Sequence, residues 1–199
     1  MSTDGGLCVG ILVFDEADEL DVVGPFEVFT AWSEHSALKP HVSTFSRDGA
    51  GVRLAGGLRM LPSRSADDVG PLHLLVHPGG WGTRRLLEDR AHLEWLRAVC
   101  VQTPLLAGVG TGAHVLAAAG LLAGRPATTH RDHFDELSRV DPSVLIDTEA
   151  RFVDDGDVLT SAGATVGIDM ALHLVARLES EDVAAEVRRT LQIDPLPPV

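Results

Sequence analysis

The stretch from Pro104 to His130 carries the most chemistry per residue in this chain. A short apolar run ends at Val109, the small residues Gly110, Gly112 and Ala113 permit a tight reversal, and an apolar segment of helical character follows. Such a strand–elbow–helix turn holds the side chain at its apex in a fixed place, and the residue at this apex is Gly110. A side chain held in a sparsely populated backbone conformation costs about 1–3 kcal/mol, whereas glycine adopts it almost freely. Gly110 is therefore expected to relax the elbow, remove any nucleophile and leave extra room. The two cysteines do not replace it. Cys8 lies in the first apolar run, where a small buried hydrophobe is expected, and Cys100 lies about ten residues before the elbow. Neither has the spacing of a metal site or a disulfide framework.

Acid–base groups remain. Asp21, just before Val22 and Pro25, reads either as a helix N-cap or as a carboxyl buried under a mostly apolar pocket. In the second case its pKa rises, which suits a general acid or base. His77 closes an apolar run, and His114 sits one turn into the elbow helix, so either could supply proton-transfer capacity at the pocket. His133 is expected at the surface. Asp169 and His173, spaced i, i+4, are expected to form a buried hydrogen-bonded pair rather than a metal site. Gly110-Thr-Gly112 is an elbow and not a dinucleotide fingerprint, because no acidic strand end follows at the required distance.

The elements that must position these groups alternate. Leu7–Phe14, His41–Ser46, Leu72–His77 and the run ending at Val109 read as buried strands, with helices over Val22–Trp32, His92–Val101 and His133–Arg139. Val52–Leu61 reads as a hairpin around Gly56-Gly57, and Asp155-Gly156 turns a second hairpin between Arg151–Val153 and Val158–Ser161. Ile168–Leu178 and Asp182–Leu191 close the chain as amphipathic helices. This order predicts an α/β, flavodoxin-like parallel sheet sandwiched between helices, with the nucleophile-elbow arrangement. Ligands on such sheets bind beyond the carboxyl ends of the strands, which brings the loops after Phe14, His77 and Val109 around one pocket.

The chain has 199 residues, 45% hydrophobic and 23% charged, the size and balance of one globular domain over residues 1–199. Its formal net charge of −13 and single lysine, Lys39, argue against a nucleic-acid partner. Apolar runs stop short of the ~20 residues needed to cross a bilayer, and no basic segment precedes the first strand, so a cytoplasmic protein without a membrane partner is expected.

Five segments in order carry a resemblance to a known family. They are Leu20-Asp21-Val-Val-Gly-Pro-Phe-Glu-Val, His77-Pro-Gly-Gly, the elbow with Ala-Gly-Leu-Leu and Ala-Thr-Thr-His130, Thr160 to Leu172, and Asp194-Pro-Leu-Pro-Pro. Together they resemble the ThiJ/PfpI superfamily, most closely its isocyanide hydratase branch, over nearly the whole chain. The resemblance implies that Gly110 stands where relatives carry the catalytic cysteine, and that Asp21 corresponds to their proton-transferring aspartate. It also implies an oxyanion hole made by the amides of Gly79, Gly80 and Thr111, with His130 near the site, and a homodimer as the working unit. In this pattern His77 and His114 replace aliphatic or small residues, and Arg131 stands where tryptophan is usual. Trp81, next to the glycine turn, is expected to cover the ligand as an apolar lid. The Thr111 hydroxyl is expected to hold a water or a substrate oxygen.

The expected function is a small-molecule enzyme that needs no cofactor and works by acid–base chemistry in hydration, elimination, cyclisation or isomerisation. Asp21, Thr111 and His130 would act in the chemistry, with His77, Gly79, Gly80, Trp81, Gly110 and His114 around the substrate. Two alternatives stay open, a catalytically silent metabolite-binding protein and an isocyanide hydratase whose cysteine has been replaced.

Overall fold

A computed structural model describes residues 6–193. The tail beginning at Asp194 lies outside the described residues. The first strand, β1 (Cys8–Leu12), is followed by α1 (Glu19–His35) and returns as β2 (His41–Ser46). A small antiparallel hairpin follows, β3 (Val52–Arg53) against β4 (Arg59–Met60), in the register Val52 to Met60 and Arg53 to Arg59. Then come β5 (Arg64–Ser65), β6 (Leu74–His77), α2 (Thr83–Glu88), α3 (Arg90–Cys100), β7 (Leu105–Val109) and α4 (Gly112–Ala118). The second half holds β8 (Pro126–Ala127), α5 (Phe134–Val140), β9 (Leu145–Ile146), β10 (Phe152–Asp154), β11 (Val158–Ser161), α6 (Thr165–Leu178) and α7 (Glu181–Thr190).

Seven strands form one sheet in the order β10-β11-β7-β6-β1-β2-β5, and every pairing is parallel except β10 with β11 at the edge. The expected α/β architecture is what the chain adopts. Side chains alternate across each strand, so a central strand feeds both faces. Val9, Ile11, Leu74, Val76, Leu105, Ala107 and Val109 join Val22, Phe29, Trp32, Met170 and Leu174 in one core, beneath α1 and α6. Leu75 and Leu106 point the other way and meet Leu96, Val115, Leu116 and Leu137 of α3, α4 and α5. No helix among the described residues is long and apolar enough to cross a membrane.

One boundary differs in a way that affects the site. Helix α1 begins at Glu19, not Val22, with Asp18 as its N-cap. Asp21 is thus inside the first turn and does not cap the helix, and Pro25 lies within it. The N-terminal end of α1 thereby comes to the carboxyl edge of the sheet, between the strand ends of β1 and β6.

Candidate active site

A cavity of about 210 Å³ opens over the carboxyl edge of the sheet. Four strand ends supply its walls. The loop after β1 and the first turn of α1 bring Asp18 and Asp21, the loop after β6 and the start of α2 bring Gly80, Trp81 and Arg84, and the elbow after β7 brings Gly110 and Thr111. The turn after β11 brings Ala162, Gly163 and Ala164, and His130 and His133 come from the segment after β8. Three of these loops were expected together from the topology rule; the β11 turn adds the fourth side.

Asp21 forms the floor. Its side chain is almost wholly buried, with 2% of its surface exposed. Oδ2 accepts the Gly79 N–H at 3.1 Å, and Oδ1 accepts the Ala164 N–H at 2.6 Å. Burial, reinforced by the nearby charge of Asp18, raises the carboxyl from 3.8 to about 6 even though the two amides pull the other way. The group therefore sits near neutrality, where it can both give and take a proton.

At the elbow, Gly110 has φ +53°, a left-handed conformation that disfavours a side chain. Its N–H donates to the Ser161 carbonyl at 2.9 Å, and its carbonyl accepts the Thr129 hydroxyl at 2.9 Å. Gly110 lines the cavity, but the space beside its Cα is partly filled. A Cβ on Gly110 would stand 2.8 Å from Oδ2 of Asp21, so the carboxylate has closed on the place where a side chain would begin.

The amides expected to form an oxyanion hole are mostly engaged. The Gly79 N–H is spent on Asp21, and the Gly80 N–H donates to the Thr111 hydroxyl at 2.9 Å. The Thr111 hydroxyl therefore braces the glycine turn, and is not left free for a water or a substrate oxygen. Gly80 itself has φ +117°, and any Cβ there would run into the Glu16 carbonyl and the Asp18 amide. The turn must be glycine so that the loop after β6 can lie against the start of α1.

The histidines divide into two sets. His77 is fully buried behind the site, held by the Pro78 carbonyl and by His92 Nε2 at 3.2 Å. Burial and its histidine neighbour lower it to about 3, so it is a neutral core residue and does not reach the cavity wall. His114 is likewise fully buried under the elbow, 3.3 Å from the Thr129 hydroxyl, and burial lowers it to about 4. Neither lies where a substrate could touch it. His130 does line the cavity. His133 corrects the surface expectation: it lines the cavity too, with Nδ1 3.2 Å from Glu136. Trp81 stands on the rim, 67% exposed, with the Arg84 guanidinium 4.7 Å from its ring centroid.

The sequence matches the DJ-1/PfpI family over residues 8–177. The chain belongs to that family. It is 34% identical over 192 residues to the isonitrile hydratase of Pseudomonas putida, covering 96% of this chain and 81% of that protein. It is 29% identical over 182 residues to the HTH-type transcriptional regulator GbdR of Pseudomonas aeruginosa, covering 90% of this chain. It spans only 48% of that regulator's length. A solved THiJ/PfpI family protein from Pseudomonas syringae superposes with a TM-score of 0.87 at 29% identity, over 98% of this chain and 78% of that one. The DJ-1/PfpI family thus includes relatives named for an enzyme and relatives named as regulators.

Within this DJ-1/PfpI frame, several cavity residues escaped the sequence reading. Asp18 and Arg84 were not singled out, because no local pattern marks either of them. Arg84 in fact bridges the loop after β6 to α5 through Glu136 at 2.6 Å. Ala164 has no functional group, yet its strained backbone (φ +49°, ψ −128°) aims its N–H at Asp21. Asp169 and His173 do not pair with each other: Asp169 meets Arg151, and His173 meets Asp154 at 2.7 Å. Cys100 lies in another part of the surface, and burial raises its thiol to about 11, so it supplies no thiolate to the site.

Proposed function

We propose that this chain is a small-molecule enzyme that moves protons without a thiol and without a cofactor. Its reaction class is hydration, elimination, cyclisation or isomerisation of a compact, mostly apolar substrate, with Asp21 as the general acid–base. One observation carries the reading: a buried carboxyl raised to about 6 occupies the apex of the elbow, at the floor of an open cavity. A group with that pKa is useful for proton transfer and costly to keep for structure alone. The 34% identity to a hydratase supports the same class. With glycine at position 110 covalent catalysis by an elbow side chain is closed, which leaves proton transfer as the available chemistry.

One observation favours a second reading. Because the Gly79 and Gly80 amides are engaged internally, two of the three expected donors are unavailable to a developing oxyanion. A silent metabolite-binding protein would be content with that arrangement.

The test is turnover of a panel of aryl and alkyl isocyanides, nitriles and enones, followed by NMR, with the wild-type chain, Asp21→Asn and Gly110→Cys. Conversion by the wild type that Asp21→Asn reduces by at least about 100-fold is expected. Undiminished turnover in Asp21→Asn would remove Asp21 from the chemistry. Formamide produced only by Gly110→Cys would instead show a hydratase pocket silenced by loss of its thiol. Binding without conversion of any compound would favour the silent protein.

A further inference from the structure

The N-cap of α1 is an aspartate that does not cap. Asp18 has the extended backbone of an N-cap (φ −71°, ψ 130°), yet its side chain accepts no hydrogen bond from the first turn. An aspartate in that role normally gains about 1 kcal/mol by doing so. Its carboxylate instead lines the cavity beside Asp21. The charges acting on Asp18 are Glu19 and Asp21 from its own helix, Arg84 from α2, and His130 and His133 from the segment after β8. None of these pairs with it among the described residues. Arg84 is turned to Glu136 at 2.6 Å and stacks on Trp81, and His133 also faces Glu136. Asp18 is exposed on the cavity wall and, among the described residues, carries no ion pair or side-chain hydrogen bond, so its carboxylate is open to water and to a ligand.

We propose that Asp18 is a second catalytic carboxylate, which takes a proton from water while Asp21 delivers one to the substrate. The inference rests on the proton-transfer reading above and deepens it. In the addition direction, water attacks the electrophilic carbon of a polarised multiple bond. The new C–O bond forms as one O–H bond breaks and its proton passes to Asp18. The π pair moves to the far atom, which takes the proton of Asp21. One water is consumed, and the proton on Asp18 returns to Asp21 through solvent. Elimination runs the same steps backwards.

Environment assigns the two roles. Asp21 is sheltered and anchored by two amides at the apex, so it meets the substrate's interior atom. Asp18 is less buried and opens towards solvent, where the attacking water must enter. Burial raises both carboxyls, and Asp21, the more deeply buried, is raised to about 6. His130 is the weaker candidate base because its Nδ1 already accepts the Asp132 N–H at 3.3 Å, which leaves a donor at Nε2. His133 is the rival base on the rim.

Asp18→Asn keeps a good N-cap residue and so should fold. The experiment compares wild type, Asp18→Asn, Asp21→Asn and His133→Gln in two measurements. The first is the pH dependence of turnover of whichever panel compound the wild type converts. The second is a carbon-13 NMR titration of the aspartate carboxyl groups. In Asp18→Asn, kcat should fall at least about 100-fold with KM nearly unchanged. The alkaline limb near 6 should survive, and the Asp21 midpoint should move down once its charged neighbour is gone. The proposal is overturned if Asp18→Asn keeps kcat within a few-fold, if His133→Gln alone removes the activity, or if the Asp21 midpoint is unchanged. If the wild type converts nothing, the proton-transfer reading fails, and the role of Asp18 as a water-activating base falls with it. A shifted midpoint then shows only that the two carboxyls are neighbours.

Discussion

At the scale of single residues, the pairing of Asp21 with Gly110 organises the site, and its cost can be measured. The folded carboxyl keeps its proton to about 6, whereas the unfolded one releases it near 3.8. Between those values the native state binds more protons, so Asp21 makes the fold less stable as pH rises through that window. A shift of about two units corresponds to about 3 kcal/mol. Asp21→Asn removes the titration. The stability of the wild type relative to Asp21→Asn should therefore decline between pH 4 and 6 and level off above, as followed by urea unfolding at each pH. A difference independent of pH would mean that the carboxyl titrates alike in both states. Gly110→Cys makes the complementary point. Its Cβ meets Oδ2 of Asp21 in a left-handed backbone, so the variant should lose about 1–3 kcal/mol and force the carboxylate to rotate.

At the scale of elements, the site is held by helix ends and turns far apart in sequence. The C-cap residue of α6, Glu179, binds the Trp32 indole N–H at 2.6 Å, the Ser36 hydroxyl at 2.5 Å and the Ala37 N–H at 3.1 Å. This clamp fixes the far end of α1, whose near end carries Asp18 and Asp21. Glu179→Ala leaves the fully buried Trp32 N–H unpaired and should cost about 1–3 kcal/mol in thermal or chemical melts. The turn before α6 behaves in the opposite sense: Ala164→Gly relieves a positive φ and should raise stability by about 1 kcal/mol. A decrease would show that the lost methyl matters more than the strain.

These elements also show what the sequence could reveal. The buried strands were legible because apolar runs bounded by glycine and proline have few other uses, and the elbow because small residues cluster where the chain reverses. Asp21, Gly80, Gly110, Thr111 and His130 were legible through family resemblance and Trp81 through its place beside the glycine turn, and all of them line the cavity. Asp18, Arg84, His133 and Ala164 were not. Their roles arise only when the ends of β1, β6 and β11 and the segment after β8 converge, and nothing local distinguishes them. His77 and His114 misled for the converse reason. A histidine at a strand end or in a first helical turn can face either way, and here the packing of α3 and α4 turned both inward.

At the scale of the whole molecule, those inward histidines set the acid limit of the fold. His77, His92 and His114 are buried and neutral, held down by burial to about 3, 4 and 4. His77 and His92 face each other nitrogen to nitrogen, so protonating both would place two cations 3.2 Å apart. In the unfolded chain each histidine titrates near 6.5. Between about pH 4 and 6.5 the unfolded state therefore binds more histidine protons than the native state, and stability falls as pH falls. Asp21 opposes this with a single proton, so the three histidines prevail. Glu136 and Asp154 add to the loss at the acid end. Despite the burial that opposes it, Arg84 holds the Glu136 carboxyl low, and His173 with Arg177 do the same for Asp154. Both therefore stabilise the fold above the usual carboxylate range and release that stability as acid protonates them. The unfolding free energy should decline on the order of 1–3 kcal/mol per pH unit from pH 6.5 to 4.5, a net excess of one to two protons. Urea melts across that range check it, and His114→Asn should flatten the slope by about one proton. A profile that stays level, or a His114→Asn slope equal to the wild type, would mean that the buried imidazoles find protons inside the fold after all.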